Sequence, residues 1–372
     1  MFAPYAVLGP ETSLDNVIFV HLLNDRSGSA RVLASIIEGI GDVERDLLVV
    51  ADGDGVLSSV STPKCHYSYT RYSNRWLTLF SYVASQVRLF LMLWPMTRSR
   101  PKHEPIYINT ALPFGGAIFG RLTGRRVIYH LHEISVSPRL LQKFLWYVVR
   151  ITAEEVRFVS EHQKRTTGLL HPNMRVVYNT TSPELVLAAA KPFPVGAVDE
   201  FNVLMLATAR DYKGIPEFIT LARSLEAHSK FVFQLVTNDD AQVVEKYFGD
   251  KAELPSNMVL IPRTAELASL YRKASLVVNL SRSSEWIETF GLTLLEAMTF
   301  GVPVIGPPEG GPVEVLGEEL SDYLISGCDI ARLKATLIAL SEDSDLYSRL
   351  STQCRNRARA FDWHSFVDAL RI

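Results

Sequence analysis

The segment that decides the fold spans residues 276–314 and reads LVVNLSRSSEWIETFGLTLLEAMTFGVPVIGPPEGGPVE. Its first five residues form a short run of apolar and β-branched side chains, which predicts a buried parallel strand. A polar loop follows as far as Glu288, and the apolar spacing of residues 290–300 predicts a helix. A Gly-x-Pro turn then leads into a second apolar run. The segment therefore predicts one strand–loop–helix–strand unit of a parallel α/β sheet.

Two carboxylates frame the start of this predicted helix. Glu288 precedes the helix, and Glu296 lies about 12 Å away if the whole segment between them is helical. Proton-shuttling carboxyl pairs lie about 5–10 Å apart, so these two acids do not form such a pair. Their separation suits a ligand that carries hydroxyl groups at both ends. A surface glutamate on an amphipathic helix explains either residue taken alone.

Main-chain amides fill the space between the two acids. Phe290, Gly291 and Leu292 lie at the predicted helix N-terminus, where unpaired N–H groups and the helix dipole favour an anion. Gly291 has no side chain, so the backbone can approach a ligand closely there. An ordinary glycine cap is the alternative interpretation of these residues alone. The whole arrangement favours a site for a diphosphate that joins a sugar to a nucleoside.

Three motifs in this segment carry a resemblance to a known family: Glu288-Thr-Phe-Gly-Leu-Thr-Leu-Leu-Glu296, Gly301-x-Pro303-Val304-Ile305 and Gly310-Gly311-x-x-Glu314. Together they resemble the Glu-x7-Glu region of glycosyltransferase family 4, whose members are retaining enzymes with the GT-B fold. The resemblance implies an α/β protein with two Rossmann-like domains facing across a cleft. It further implies that Glu288 meets the donor-sugar hydroxyls, that Glu296 binds the ribose, and that the amides of residues 290–292 hold the diphosphate.

A chain of 372 residues exceeds one ordinary core and predicts two domains. Alanines, prolines and a glycine near residues 188–197 punctuate the chain as a linker does. The predicted organisation is an acceptor-binding Rossmann-like domain, a linker, a nucleotide-sugar-binding Rossmann-like domain, and C-terminal helices that cross back to the N-terminal domain: residues 1–187, 188–200, 201–355 and 356–372.

Charge and cysteine content restrict the function classes. A net charge of −2 argues against a nucleic-acid partner. Three widely spaced cysteines indicate a reducing compartment, with neither a disulfide framework nor a zinc site. The N-terminus lacks a signal-peptide pattern, and the longest apolar run, residues 87–96, contains an arginine and is too short to span a bilayer. These features predict a cytoplasmic protein.

The first strand prediction, residues 17–21, is followed by a loop at the usual ligand position of an open α/β sheet. This loop, residues 22–29, lacks the Gly-x-Gly-x-x-Gly fingerprint, so a tightly bound dinucleotide is not expected. It resembles the small-residue loop of the family, which implies that Gly28 and Ser29 lie between donor phosphates and acceptor. A plain connecting loop is the alternative.

Two histidines and a glutamate, His130, His132 and Glu133, follow a predicted strand at residues 127–129. A zinc site needs a third nearby ligand of suitable geometry, which the sequence does not offer. The resemblance implies that His132 bonds the donor sugar or the departing phosphate and that Glu133 faces the acceptor. His130 is interpreted as structural. Neither a metal ion nor any other cofactor is expected.

Basic residues follow two predicted strands of the C-terminal half. Arg210 and Lys213 come after the strand at residues 203–207, where an arginine fork and a lysine point charge can neutralise a diphosphate. Two solvated charges in a turn are the alternative for this pair alone, but the family places an Arg and a Lys in this loop. Arg263 follows the strand at residues 258–261 and is a candidate contact for the nucleobase.

Residues 55–103 contain no Asp or Glu and interleave seven Lys and Arg residues with aromatic side chains. A basic, aromatic helix at residues 75–96 suits the interface of an anionic membrane. An ordinary core helix with basic flanks is the alternative. Such a pattern also binds single-stranded nucleic acid in some proteins, but nothing else in the chain supports that interpretation.

The resemblance thus implies a retaining, metal-independent glycosyltransferase of the hexosyltransferase type. Its acceptor is predicted to be a glycan or a polyprenyl-diphosphate-linked sugar, in bacterial surface-polysaccharide synthesis such as that of O-antigen or capsule. The protein is then expected to lie peripherally at the cytoplasmic face of the inner membrane. Two other classes remain open, a nucleotide-sugar epimerase of the same fold and a non-catalytic sugar-nucleotide-binding subunit.

Overall fold

The computed structural model describes residues 16–40, 44–191, 200–249, 254–264 and 266–371. The chain forms two compact units, of which the first runs to Val177 and also takes in the chain from Val367 onward. The second unit spans Tyr178–Phe366. Each unit contains one parallel sheet with flanking helices, so the predicted α/β class with two Rossmann-like sheets is confirmed. Of the predicted linker, residues 192–199 lie outside the described residues.

The first unit contains a seven-stranded parallel sheet in the order β3-β2-β1-β4-β5-β6-β7. Its strands are β1 (Ile18–His21), β2 (Leu47–Ala51), β3 (Lys64–Tyr67), β4 (Ile106–Asn109), β5 (Val127–Leu131), β6 (Glu155–Phe158) and β7 (Met174–Val176). Its helices are α1 (Gly28–Ile40), α2 (Arg75–Thr97), α3 (Phe114–Thr123), α4 (Arg139–Thr152) and α5 (Glu161–Thr166). The strand order reverses between β1 and β4, which is where open α/β sheets bind ligands.

The second unit contains a five-stranded parallel sheet in the order β10-β9-β8-β11-β12. Its strands are β8 (Phe201–Ala207), β9 (Phe231–Thr237), β10 (Met258–Ile261), β11 (Leu276–Val278) and β12 (Val304–Ile305). The remaining helices are α6 (Pro183–Ala189), α7 (Ile215–Ser224), α8 (Ala241–Phe248), α9 (Leu267–Lys273), α10 (Leu292–Thr299), α11 (Gly311–Leu316), α12 (Ile330–Glu342), α13 (Ser344–Ala358) and α14 (Trp363–Leu370). The order of this sheet reverses between β8 and β11.

Two arginine side chains bind residues 370 and 371 to the sheet of the first unit. Arg157 of β6 is fully buried, and its Nη1 donates to the main-chain oxygen of Leu370 at 3.1 Å. Arg175 of β7 donates in the same way to the main-chain oxygen of Arg371 at 3.1 Å. Glu155 accepts from both guanidinium groups, so the two buried or half-buried cations have an anionic partner. The last residues of the chain are thereby tied to β6 and β7.

Helix α2 is longer than the apolar run read from the sequence. The Asn74 side chain accepts from the amides of Trp76 and Leu77 and so caps its first turn. The helix then continues for 23 residues, and by length and composition it is apolar enough to cross a membrane. The run at residues 87–96 is thus part of a longer apolar helix, and the bounds predicted for that helix, 75–96, differ from the structure by one residue. Leu89 and Leu93 on one face of α2 are fully buried in the core of the unit.

Several predicted boundaries also differ from the structure. Helix α1 begins at Gly28, so Gly28 and Ser29 belong to its first turn and not to the preceding loop. Residue 188, the predicted start of the linker, lies in α6. Helix α10 begins at Leu292 because Gly291 holds a left-handed φ of +97°.

Candidate functional site

The reversal point of the second sheet brings the two main predicted donor residues together. Strand β8 leads into a 3₁₀ turn that contains Lys213, and Gly214 follows with φ of +85° before α7 begins. Strand β11 leads into the loop that contains Glu288. Because β8 and β11 are adjacent parallel strands, their carboxyl ends open at the same edge of the sheet. The structure thus places this pair at the position where such folds bind ligands.

Lys213 and Glu288 form a half-buried ion pair. Lys213 Nζ donates to Glu288 Oε2 at 2.9 Å, and Asn279 Nδ2 lies 3.4 Å from the same oxygen. Burial alone raises the pKa of the Glu288 carboxyl, but the Lys213 ammonium and the hydrogen bonds reverse this effect, and the pKa lies below its usual value. Glu288 is therefore an anion at neutral pH, held beside a cation.

Aromatic rings hold the Lys213 side chain in position. Trp286 stacks on Tyr212 with ring centroids 5.4 Å apart, and Lys213 Nζ lies 5.1 Å from the centre of the Trp286 ring. A main-chain hydrogen bond supports this arrangement, because the amide of Arg282 donates to the main-chain oxygen of Tyr212 at 2.9 Å. The cation–π contact and the ion pair together restrict the ammonium to one edge of the site.

Two glycines fix the backbone at Glu288. Gly311 N donates to the main-chain oxygen of Glu288 at 2.9 Å. A Cβ atom on Gly310 would lie 2.3 Å from that same oxygen, and one on Gly311 would lie 2.2 Å from the Thr289 oxygen. Gly310 also has φ of +93°. The Gly310-Gly311 pair is therefore required for α11 to approach the loop that carries Glu288.

The main-chain amides that were predicted to hold a diphosphate lie at the start of α10. Gly291 is its N-cap, so the amides of Gly291 and Leu292 belong to the first turn, whose N–H groups lack partners within the helix. Phe290 precedes this cap, which corrects its predicted place inside the helix. Its side chain is buried against the rings of Tyr178 and Phe361. The role of these amides in holding a diphosphate stays a prediction.

Three other predicted donor residues have partners within the second unit. Glu296 is only 1% exposed, and Tyr271 donates to its Oε2 at 2.6 Å. Arg210 donates to the main-chain oxygen of Ala209, and Arg263 pairs with Asp240 at 2.9 Å. The roles of these three side chains toward ribose, phosphate and base stay predictions.

A second polar cluster lies at the reversal point of the first sheet. His132 Nε2 donates to Asn109 Oδ1 at 2.9 Å, and Asn109 Nδ2 donates to the main-chain oxygen of Ser29 at 3.0 Å. His21 Nδ1 lies 3.1 Å from the main-chain oxygen of Asn109. The ends of strands β1, β4 and β5 and the first turn of α1 therefore meet at Asn109. Gly28, the residue before Ser29, faces open space, since a Cβ atom added to it would have no heavy atom within 4 Å.

Burial keeps the histidines of this cluster neutral. Burial, with the nearby His21, lowers the pKa of His132 to about 3, and burial also lowers the pKa of His21. His130 is fully buried with its Nδ1 2.8 Å from the Tyr107 hydroxyl, and burial lowers its pKa well below the usual value. His132 thus acts as a neutral donor and acceptor at physiological pH.

The pKa of Glu133 is raised, whereas the pKa values of the histidines are lowered. Burial raises the pKa of its carboxyl to about 7, although Oε2 accepts from the amides of Ala111 at 3.3 Å and His132 at 3.2 Å. These amide contacts turn Oε2 toward the protein. The predicted role of Glu133 toward an acceptor stays a prediction.

The raised pKa of Glu133 has a consequence for stability. The folded state retains the Glu133 proton up to about pH 7, whereas the unfolded chain releases it near pH 4.5. The Glu133 contribution is therefore present below pH 4.5 and lost as pH rises through 7. We expect the unfolding free energy of Glu133→Gln to rise relative to that of the wild type between these limits, by about 3 kcal/mol at pH 7. Urea unfolding at a series of pH values measures this difference; parallel curves for the two proteins would contradict it.

Sequence reasoning missed two asparagines that the structure places at the centre of these clusters. Asn109 ends β4 and Asn279 directly follows β11. A polar amide that closes an apolar strand run was the available signal, because strand ends at a reversal point face the ligand side. Among the described residues, no group of three or more His, Cys, Asp or Glu residues is arranged to hold a metal ion.

Comparison with known proteins finds a family match for the C-terminal region. Residues 190–358 match the family model described as glycosyl transferases group 1, and this confirms the resemblance read from the sequence. D-inositol 3-phosphate glycosyltransferase 1 of Catenulispora acidiphila is 37% identical over 105 residues, which cover 28% of this chain and 24% of that protein. Sucrose-phosphate synthase of Spinacia oleracea is 28% identical over 101 residues, which cover 27% and 10%. The chain thus matches a quarter or less of the length of these relatives.

Similarity to solved structures extends over nearly the whole chain. Anabaena HepE in complex with UDP-glucose superposes with a TM-score of 0.75 at 19% identity, covering 95% of this chain and 97% of that one. The trehalose-6-phosphate synthase OtsA superposes with a TM-score of 0.71 at 13% identity, covering 95% and 98%. At these identities the likeness establishes the fold, which both share with this chain.

Proposed function

We propose that this chain, which matches the glycosyl transferases group 1 family over residues 190–358 and has the GT-B fold, transfers a sugar from a nucleotide-diphosphate donor. The observation that carries the proposal is the Lys213–Glu288 pair at the reversal point of the second sheet, beside the amides that begin α10. One anion for sugar hydroxyls and one cation with free amides for phosphate are what such a donor requires.

Different residues of the second unit bind the sugar, the diphosphate and the nucleoside of the donor. Glu288 accepts hydrogen bonds from the donor sugar through its Oε1, since the contacts from Lys213 and Asn279 both reach Oε2. Lys213 and the amides of Gly291 and Leu292 meet the negative charge that grows on the departing diphosphate. Such preorganised dipoles and charges act where charge develops in the transition state. Glu296 is assigned to the ribose and Arg263 to the base, with Arg210 as a further phosphate contact.

The finer chemistry follows the family. We assign His132 to the donor sugar or leaving phosphate, and Glu133, Gly28 and Ser29 to the acceptor or phosphate loop. Transfer proceeds with retention and without a metal ion, and the leaving phosphate removes the acceptor proton. The neutral state of His132 suits a hydrogen-bonding role of this kind. The acceptor is a glycan or a polyprenyl-diphosphate-linked sugar of surface-polysaccharide synthesis. The protein meets it at the cytoplasmic face of a bacterial membrane, to which residues 75–96 attach the protein.

A thermal-shift panel of nucleotide sugars on the purified protein tests the donor class. A ligand that binds the native state raises the melting temperature, by mass action. We expect at least one UDP- or GDP-sugar to raise it, and a sugar without its nucleotide to have no effect. The donor found in this way is then incubated with and without added acceptor. An isomerised donor formed without acceptor would overturn transfer in favour of epimerisation, and binding without any turnover would indicate a non-catalytic subunit.

A further inference from the structure

Apolar side chains cover two faces of α2. Its inner face, which includes Leu89 and Leu93, is buried in the core of the first unit. Its outer face carries a stripe of exposed side chains at three- and four-residue spacing: Trp76, Phe80, Val83, Val87, Leu91 and Trp94. This spacing places them on one side of the helix, and Phe80 is 75% exposed. The fold of the unit uses the inner face and leaves the outer stripe uncovered.

Helix α4 repeats this arrangement. Leu145 and Val149 are buried, while an outer stripe at the same spacing is exposed: Leu140, Phe144, Tyr147 and Ile151. Leu140 is 79% exposed. Single exposed apolar residues are common on proteins, but two ordered stripes on helices that both pack against α3 form a patch of the kind that marks an interaction surface.

Helix α3 joins the two stripes. Its Phe119 contacts Trp94 of α2 with ring centroids 6.2 Å apart, and its Phe114 contacts Phe144 of α4 at 5.1 Å. Leu122 of α3 is itself exposed. We call the exposed apolar side chains of α2, α3 and α4 the three-helix surface.

Basic residues far outnumber acids in the segment that contains the three-helix surface. Between residues 55 and 153 the sequence contains only two acids, Glu104, which is buried and paired with Arg100 at 2.6 Å, and Glu133, which is half-buried. The same segment contains thirteen basic residues: Lys64, Arg71, Arg75, Arg88, Arg98, Arg100, Lys102, Arg121, Arg125, Arg126, Arg139, Lys143 and Arg150. Since the whole chain has a net charge of −2, this positive charge is concentrated here.

We propose that the three-helix surface docks onto an anionic lipid bilayer, with α2 and α4 lying in the interface. Apolar stripes enter the boundary of the acyl chains, tryptophans lie at headgroup level, and flanking Lys and Arg meet lipid phosphates. A second copy of the chain is disfavoured, because a shared patch of this kind would bring basic side chains together. Helix α2 lies on the bilayer and does not cross it, because its inner face is part of the protein core.

This inference rests on the proposed function only for its purpose, which is to bring the protein to a membrane-borne acceptor. It extends the attachment proposed for residues 75–96 to α3 and α4. Its test needs no nucleotide sugar, so failure of lipid binding and failure of donor binding are separate results.

Vesicle flotation of the full chain tests the proposal. We expect binding to vesicles that contain phosphatidylglycerol, weak binding to phosphatidylcholine alone, and release as salt rises from about 0.1 M to about 1 M. Phe80→Gln with Leu91→Gln on α2 should weaken binding about tenfold, and Leu140→Gln with Ile151→Gln on α4 should do the same. All four side chains are exposed, so the variants should keep the wild-type melting temperature.

The matched control is Val259→Gln, which replaces a side chain of the second unit that is 49% exposed. It should leave vesicle binding unchanged. No binding by the wild type, equal binding to both kinds of vesicle, or wild-type binding by the α4 variant would each overturn the proposal. A concentration-dependent dimer that the α2 and α4 variants abolish, without vesicle binding, would overturn it in favour of a second copy.

A separate observation concerns Asn109. Its Oδ1 accepts from His132 Nε2 at 2.9 Å, while its Nδ2 donates to the Ser29 oxygen at 3.0 Å. The following residue, Thr110, holds a left-handed φ of +76°, which is uncommon for a non-glycine residue and marks strain that the surroundings must maintain. We infer that Asn109 is a positioning residue that holds His132 in the Nε2–H tautomer and turns its Nδ1 lone pair away from Asn109.

Nitrogen-15 NMR of the histidine ring tests this second inference, which rests on the proposed function only for its kinetic arm. Wild-type His132 should be in the Nε2–H tautomer, and Asn109→Ala should give a mixture of tautomers. Asn109→Asp retains an acceptor oxygen and should restore the Nε2–H form. In the kinetic arm, Asn109→Ala should lower kcat about tenfold or more while the KM for donor stays unchanged. An Nδ1–H tautomer in the wild type or in Asn109→Asp, or a pure Nε2–H form in Asn109→Ala, would overturn it.

Discussion

Replacement of Glu288 by glutamine is expected to lower the rate of sugar transfer about 10³-fold while the protein remains folded. The amide has nearly the same shape as the carboxylate, but it carries no charge to receive the donor-sugar hydroxyls. It also leaves the half-buried Lys213 ammonium without its anionic partner, at a cost of about 1 kcal/mol in stability. Initial rates with the donor identified by thermal shift, together with the melting temperature, measure both effects.

The control for this prediction lies three residues away in the same loop. Glu285 is exposed and pairs with Arg282 at 3.0 Å, so Glu285→Gln makes the same chemical change outside the site. It should keep nearly the full rate. Lys213→Ala should behave differently again, because loss of a phosphate contact mainly raises KM for the donor. A Glu288→Gln enzyme with a rate close to that of Glu285→Gln would remove Glu288 from the reaction.

Replacement of Gly310 by alanine is expected to weaken donor binding at least tenfold and to lower the unfolding free energy by about 3 kcal/mol. The added Cβ would lie 2.3 Å from the main-chain oxygen of Glu288, so the loop must move. With φ of +93° and ψ of −161°, residue 310 also occupies a region that is almost restricted to glycine. Donor titration and urea unfolding of the same preparation measure the two losses.

Gly124→Ala separates the clash from the backbone strain. Gly124 has φ of +72°, and no heavy atom lies within 4 Å of its built Cβ position. This variant should lose about 1–2 kcal/mol of stability through strain alone and should bind donor as the wild type does. If Gly310→Ala matched Gly124→Ala in both measurements, the close approach at Glu288 would be unimportant for donor binding.

The parallel architecture was predictable because most strands are apolar runs, as buried parallel strands must be. Strand β3 was missed because its residues, Lys-Cys-His-Tyr, carry no apolar run. Helix α6 was missed although Ser182 caps it and Pro183 begins it, a pattern typical of helix starts. The predicted start of α10 was two residues early because helical spacing does not reveal the left-handed φ of Gly291.

The candidate site was predictable in its residue types more than in its contacts. Glu288 and Lys213 were found through motif and position, but their direct pairing depends on adjacent strands 75 residues apart in sequence. For the same reason the sequence did not reveal Asn279 beside Glu288. The motif also identified Glu296, but it did not indicate that the Tyr271 hydroxyl donates to its carboxylate.

The ties from Arg157 and Arg175 to the last residues of the chain bear on biosynthesis. The guanidinium of Arg157 is fully buried in β6, yet the carbonyl that receives it belongs to Leu370. While the ribosome is still making the second unit, Arg157 and Arg175 have Glu155 as a partner but each lacks its main-chain acceptor. The first unit therefore keeps an incomplete edge until residues 367–371 emerge, so the N-terminal half is completed last although it is synthesised first.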